Sequence, residues 1–514
     1  MAGQTSGPAA EIAQGYASEG TAVELGAVVI DGKTESSAAV RLPLATLNRH
    51  GLVAGATGTG KTKTLQLLSE QLSAAGVPVV LADVKGDLSG LSAAGEENDR
   101  LAKRAEELGD DWAPEASPVQ YLSLGTGGKG SPIRATITSF GPVLLSKVLG
   151  LNETQESTLG LIFHWADQRG LALLDTKDLR SVITHLTSDE GKADLKGIGG
   201  VSAATAGVIL RALSNLEAQG GEEFFGEPEL DVHDLMRLQD GNGVITLLEL
   251  DNLQSKPALF STFLMWLLAE LFEELPEEGD LDQPKLVFFF DEAHLLFSDA
   301  SKAFLERIEQ TVKLIRSKGV GVFFCTQLPT DIPNNVLSQL GARVQHALRA
   351  FTPDDQKALA KTVKTYPKTP HYDLETALTS LGTGEAIVTV LSERGAPTPV
   401  AWTRLRAPRS KMGSVGADAI ASAVASSDLH AKYAETIDRE SAYEKLTAKV
   451  AAAEEAAPAK PDKAAPAPAD KAEKEEPGLI SQAISNPAVK SFMRSAASSL
   501  GREISRGLFG NRRR

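Results

Sequence analysis

One cysteine, Cys325, stands in 514 residues. A single thiol excludes a disulfide framework and a cysteine-based zinc site. Long apolar runs are missing too. The longest mainly apolar stretch, residues 258–272, is 15 residues and contains Glu270, too short to span a bilayer. The start, MAGQTSGPAAEIAQG, has neither a basic n-region nor an apolar h-region. No secretory signal is therefore expected, and the reading is a reducing, cytoplasmic protein. Positive charge is in deficit: 52 Lys and Arg face 67 Asp and Glu, for a net charge of −15. That balance argues against a broad surface that coats nucleic acid and leaves room for a narrow basic channel. No repeat recurs at a fixed period. The 46 glycines and 25 prolines are ordinary for the length, which excludes a collagen-like or wholly disordered chain.

What is present is 42% hydrophobic and 23% charged, the balance of a globular protein with a sizeable core. The length allows about two or three folded units of roughly 150 residues. Four runs, VVLAD (79–83), VITLLEL (244–250), LVFFFDE (286–292) and GVFFCTQ (321–327), are almost continuously apolar. Parallel strands buried on both faces have this look. Residues 66–76, 259–275 and 304–319 have helical spacing, and 141–240 are mostly helical by pattern with glycine breaks at 197–200 and 220–221. The class is α/β with a mostly parallel sheet.

Gly55-Ala56-Thr57-Gly58-Thr59-Gly60-Lys61-Thr62 fits the pattern G-x-x-x-x-G-K-[ST], which cradles nucleotide phosphates. A short apolar strand precedes it and a helical pattern follows. The glycines let the backbone N–H groups turn inward, and the helix offers its positive end to the same anion. Lys61 is expected on the β- and γ-phosphates of ATP and Thr62 on Mg²⁺. Asp291 and Glu292 end the apolar run 286–290, which places them at the carboxyl edge of a parallel sheet, where ligands bind. Asp291 is expected to hold Mg²⁺, and Glu292 to polarise the attacking water.

Other groups carry two readings each. Gln327 ends the next strand and either senses the γ-phosphate or is a plain strand-end residue. Arg316, at a helix end, either acts in a neighbouring subunit or serves as a cation at its own helix C-terminus. Arg343 and Arg349 are its rivals. Asp83-Val84-Lys85-Gly86-Asp87 faces the edge of the site or forms a turn. His294 has no partner at metal-ligand spacing, and Cys325 reads as core.

Four segments together, RHGLVAGATGTGKT, LADVKGDLSGL, FFFDEAHLLF and RSKGVGVFFCTQLPTDIPNNVLSQLGARVQHALR, resemble the HerA branch of the FtsK–HerA superfamily of P-loop ATPases. The resemblance covers about residues 22–406. It implies a RecA-like core, a hexameric ring, Mg²⁺-dependent ATP hydrolysis between subunits, and translocation or unwinding of DNA. By position it carries Lys61 and Thr62 to the phosphate loop, Asp291 and Glu292 to the metal-binding and catalytic acids, Gln327 to the sensor and Arg316 to the trans-acting finger. The acidic body also suits an ATP-driven switch or scaffold that acts on protein or membrane partners without a DNA substrate.

The expected organisation is a short N-terminal hairpin segment (1–42) and an ATPase core in two parts (43–140 and 241–406). An inserted helical module (141–240) splits the core. A helical extension (407–451), a disordered linker (452–477) and a basic tail (478–514) follow. The linker holds 10 Ala, 5 Pro and 11 charged residues and nothing that offsets the entropy of ordering. In the tail, seven basic residues against Glu503 give +6, leaving −21 elsewhere out of −15. Phe492, Ala496, Leu500, Ile504 and Leu508 recur every fourth residue there. That spacing predicts a basic amphipathic helix for a peripheral membrane site, nucleic acid or another acidic partner, including the protein's own body.

Overall fold

The computed structural model describes residues 7–195, 199–218, 220–250, 256–279, 281–297, 302–392 and 394–456. The basic tail and the linker beyond 456 lie outside them. Helix α1 (Pro8–Gln14) leads into strands β1 (Ala22–Ile30) and β2 (Lys33–Pro43). Then come β3 (Gly51–Ala54), α2 (Lys61–Ala74), β4 (Val79–Asp83), α3 (Asp99–Leu108), β5 (Val119–Leu124) and β6 (Ser131–Ile133). Helices α4 (Ile137–Val148), α5 (Glu153–Gln168), α6 (Thr176–Thr187), α7 (Asp189–Asp194) and α8 (Ala203–Ala218) follow. A small hairpin, β7 (Leu238–Gln239) and β8 (Asn242–Gly243), precedes β9 (Ile245–Glu249), α9 (Pro257–Glu274), β10 (Leu286–Phe290), α10 (His294–Phe297) and α11 (Lys302–Ile315). Next are β11 (Val320–Thr326), α12 (Asn334–Leu337), β12 (Ala342–Gln345), α13 (Pro353–Val363), α14 (Leu374–Ser380), β13 (Glu385–Thr389) and β14 (Ala401–Leu405). Helices α15 (Ala417–Ala425), α16 (Asp428–Tyr433) and α17 (Ala442–Ala456) end the described chain.

Twelve strands make one sheet in the order β2-β1-β14-β13-β12-β3-β11-β10-β4-β9-β5-β6. From β12 to β6 the neighbours are parallel. β13, β14, β1 and β2 add on antiparallel. The apolar runs are continuous because both faces are buried. Phe288, Phe290, Val322 and Phe324 join one core, while Val287, Phe289, Phe323 and Cys325 join the other. Removing one of these rings costs about 3–5 kcal/mol.

The first core also holds Leu145, Ile162, Ile183 and Ile209, so α4, α5, α6 and α8 are packed into the sheet's own core. The helical stretch starts at Ile137, and α4 kinks at Gly141 (φ 73°). The N-terminal hairpin differs from the separate segment expected for 1–42. β1 pairs with β14 and buries Val23, Leu25 and Val28, so the hairpin completes one edge of the main sheet. The extension differs as well. Residues 407–416 form no helix and run along α2, where Glu70 accepts the amides of Arg409 (2.8 Å) and Ser410 (3.2 Å). α17 continues to Ala456, past residue 452 where the linker was expected to start.

Candidate nucleotide site

β3 is buried over all four residues and delivers the loop 55–60 to the carboxyl edge of the sheet. The loop is anchored on both sides. Gly55 N–H donates to Thr326 O at 3.2 Å, Ala56 N–H to Ala347 O at 2.8 Å and Gly384 N–H to Thr59 O at 3.2 Å. Gly55 has φ 153°, and a Cβ there would lie 2.5 Å from His346 Cβ, so only glycine fits. His346 supports the loop from below, with Nε2 2.9 Å from Thr64 Oγ1. Burial pushes its pKa down to about 4, which keeps the ring neutral at pH 7.

Gly60 caps α2 without a side chain, which leaves first-turn N–H groups for an anion. The Lys61 ammonium folds into the loop and donates to Gly55 O (2.7 Å) and Ala56 O (3.3 Å). Thr62 is the second residue of α2. The loop thus brings together a helix N-terminus, an ammonium and a hydroxyl, the donor set that a nucleotide's phosphates and its metal require.

The acids sit two strands away, past β11. Asp291 and Glu292 follow β10 directly and are buried, at 4% and 8% exposure. Glu292 N–H donates to Asp291 Oδ1 at 2.9 Å, and Glu292 takes φ 49°, a left-handed geometry uncommon for a non-glycine residue. The Lys85 ammonium pairs with Glu292 Oε1, and His294 Nδ1 lies 3.3 Å from Oε2. Burial raises the Asp291 pKa; Lys85 opposes this and Glu292 adds to it.

Asp83 ends the neighbouring β4 and is fully buried. Its carboxylate accepts the amides of Lys85 (3.1 Å), Gly86 (2.7 Å) and Leu88 (2.9 Å). These bonds shape the turn that aims Lys85 at Glu292. Burial lifts the Asp83 pKa to about 6, with Asp87 and Asp291 adding to the rise. Three carboxylates, Asp83, Asp291 and Glu292, thus end neighbouring strands at this edge, and Lys85 pairs with Glu292. No cluster of three or more His, Cys, Asp or Glu able to hold a metal exists among the described residues.

Gln327 follows β11 and is exposed at the same edge. With His294, Phe297, Leu328 and Asp331 it lines a cavity of about 400 Å³. Cys325 is buried in β11, and its thiol is pushed well up by burial. Arg316 is elsewhere. It precedes β11 at the amino edge, about 20 Å from its own phosphate loop by strand rise. Of its rivals, Arg349 donates to Thr57 O of the same chain's loop at 3.1 Å. Arg343 is held by Thr365 O at 3.1 Å.

The structure thus gathers Gly55 to Thr62, Asp291, Glu292 and Gln327 at one edge and leaves Arg316 at the other. Sequence reasoning left two members out. Lys85 lay in a stretch noted as either edge or turn. His346 lay in a segment read for its arginines.

The chain matches the helicase HerA-like C-terminal family over residues 29–514. It belongs to that family. The resemblance read from the four motif segments is borne out. The DNA double-strand break repair helicase HerA of Sulfolobus acidocaldarius is 22% identical over 390 residues, which is 72% of this chain and 68% of that one. Among solved structures, the bacterial conjugative coupling protein TrwBdeltaN70, in an unbound form, matches with a TM-score of 0.50. It is 16% identical, over 80% of this chain and 95% of its own. The plasmid coupling protein TrwB in complex with the non-hydrolysable GTP analogue GDPNP gives 0.51 at 16% identity, over 79% and 94%. At that identity the likeness shows the fold, a RecA-like α/β core. The family member is therefore a HerA-like P-loop ATPase by family and fold.

Proposed function

We propose that this chain hydrolyses ATP with Mg²⁺ as a ring, a hexamer, and couples hydrolysis to movement along or unwinding of DNA. One observation carries the hydrolytic part. Asp291 and Glu292 stand side by side at the end of β10, on the carboxyl edge that also holds the loop of Lys61 and Thr62. In this reading Lys61 binds the terminal phosphates, Thr62 and Asp291 hold the metal, Glu292 takes the proton from water, and Gln327 orients that water. The DNA part is carried over from the family and from the printed name of the archaeal relative.

Arg316 completes the site from the next subunit. Its position at the amino edge puts it out of reach of its own loop, which supports a trans role. Mixed rings of Arg316→Ala and Glu292→Gln subunits test this. Restored hydrolysis on mixing is expected, and two dead variants that stay dead when mixed refute the shared site.

No helix among the described residues is long and apolar enough to cross a membrane. From its sequence the chain is read as a cytoplasmic enzyme that attaches peripherally to the membrane through its basic tail. The net charge of −15 favours a second reading, a switch or scaffold with no DNA substrate. Filter binding of labelled duplex at two salt concentrations separates the two. Translocation predicts a steep loss with salt, and no binding at low salt supports the switch.

A further inference from the structure

We propose that Lys85 is a latch on Glu292, which it holds shut and gives up when a divalent cation comes to Asp291 with the nucleotide. The proposal rests on the hydrolytic reading above and names what controls its base.

Glu292 is not ready to act in the arrangement seen. Its Oε1 is occupied by the Lys85 ammonium. Its Oε2 is buried and accepts no hydrogen bond from the described residues, with His294 Nδ1 3.3 Å away. One oxygen is thus taken and the other sealed. A general base must come within hydrogen-bond reach of the proton it removes, so hydrolysis needs a second pose of this side chain. The left-handed backbone of Glu292 (φ 49°) favours such a change, because it is uphill for a residue with a Cβ and lasts only while its surroundings hold it.

Lys85 is built to let go. Its backbone is fixed, since Asp83 accepts the amides of Lys85, Gly86 and Leu88. Its side chain is 44% exposed and can swing without opening a core. A second acceptor lies two residues along the same turn. Asp87 Oδ1 is buried and takes no hydrogen bond from the described residues. Lys63 of α2 is the other cation whose charge Asp87 feels. Burial lowers the Lys85 pKa, but the bond to Glu292 and the charges of Asp291, Glu292 and Asp87 outweigh it and leave it raised. The ammonium therefore stays charged within the field of three carboxylates, and it can pass from one to another.

Asp291 is the acid next to Glu292 and is the one proposed for the metal. Lys85 and a divalent cation at Asp291 would compete for the same acids, because like charges repel. Lys85 then turns to Asp87, and Glu292 is released toward the water. The base is armed only when the nucleotide brings its metal. Linkage gives this exchange a signature in binding. The ammonium opposes the metal nucleotide, so removing the ammonium must tighten that complex.

The test uses the full chain and a non-hydrolysable ATP analogue, titrated calorimetrically with Mg²⁺ and again in EDTA. Lys85→Met keeps the stem and removes the charge. It should bind the analogue about fivefold or more tighter with Mg²⁺, and within about twofold of wild type in EDTA. A lysine that ligated phosphate or only supported the fold would lose affinity instead. Asp87→Asn removes the receiving partner. It should weaken the Mg²⁺ complex about threefold in the wild-type background and leave it unchanged beside Lys85→Met. Equal or weaker Mg²⁺-dependent binding by Lys85→Met overturns the proposal. So does an Asp87→Asn effect that is absent from wild type or persists without Lys85. A wild-type chain that does not bind the analogue with Mg²⁺ would instead overturn the nucleotide reading itself.

Discussion

The two ends of the central sheet each bury a histidine, and they are used in opposite ways. At the amino end, His50 spends both ring nitrogens on the backbone. Nε2 lies 2.7 Å from Val312 O, and Nδ1 accepts Val322 N–H at 3.0 Å. That fixes a neutral tautomer with the proton on Nε2 and ties α11 to β11. At the carboxyl end, His346 backs the phosphate loop, and the charges beyond it do not cancel. Asp83, Asp291 and Glu292 are buried there, and the Lys85 ammonium pairs with Glu292. A balanced buried group builds a fold, whereas an unbalanced buried cluster marks a place where a cation or charged ligand belongs.

Substitutions at the two ends should therefore separate affinity from stability. Lys61→Ala at the carboxyl end should weaken ATP by about 100-fold, the worth of charge-assisted bonds to phosphate. Calorimetric titration reads the affinity, and thermal unfolding without nucleotide should change less than in the His50 variant below. His50→Ala at the amino end should do the reverse. It strands a buried carbonyl and a buried amide and should cost about 2 kcal/mol, with ATP affinity intact. Equal loss of affinity and stability in either variant would break the comparison.

The same histidine predicts a pH effect. Burial pushes His50 from 6.5 down to about 4, with Arg316 adding to the drop. The unfolded chain takes up that proton first, so stability falls as pH drops from about 6.5 toward about 4. His50→Ala should lose stability less steeply across this window in denaturant melts at fixed pH. His346 is pushed down to about 4 as well, so some slope should remain.

A smaller effect sharpens the carboxyl end. The Lys85 ammonium holds the Asp291 pKa down against burial. Lys85→Ala should move the acid limb of the kcat/KM profile to higher pH, since a carboxylate without its cation protonates earlier. An unmoved acid limb would show that this pair does not set the charge state of the site.

The legible parts of the fold were those written locally. The phosphate loop has a fixed spacing, and strands buried on both faces need unbroken apolar runs such as 286–290. Asp291 and Glu292 were legible for the same reason, as acids at the end of such a run. β12, β13 and β14 were not, because their apolar runs are short. β14 alternates buried and half-buried residues and pairs antiparallel with β13 on one side and with β1, distant in sequence, on the other. Lys85 escaped because its partner lies across the β4–β10 pairing, a neighbour relation that no local pattern encodes. The helix end at Arg316 was visible, but its place at the amino edge needed the strand order.

The central claim is that the carboxyl edge is a hydrolytic site with Glu292 as its base. Steady-state ATPase and ATP titration of Glu292→Gln test it together. The account predicts affinity within about threefold of wild type and turnover lowered about 100-fold or more. Wild-type turnover in this variant would contradict it.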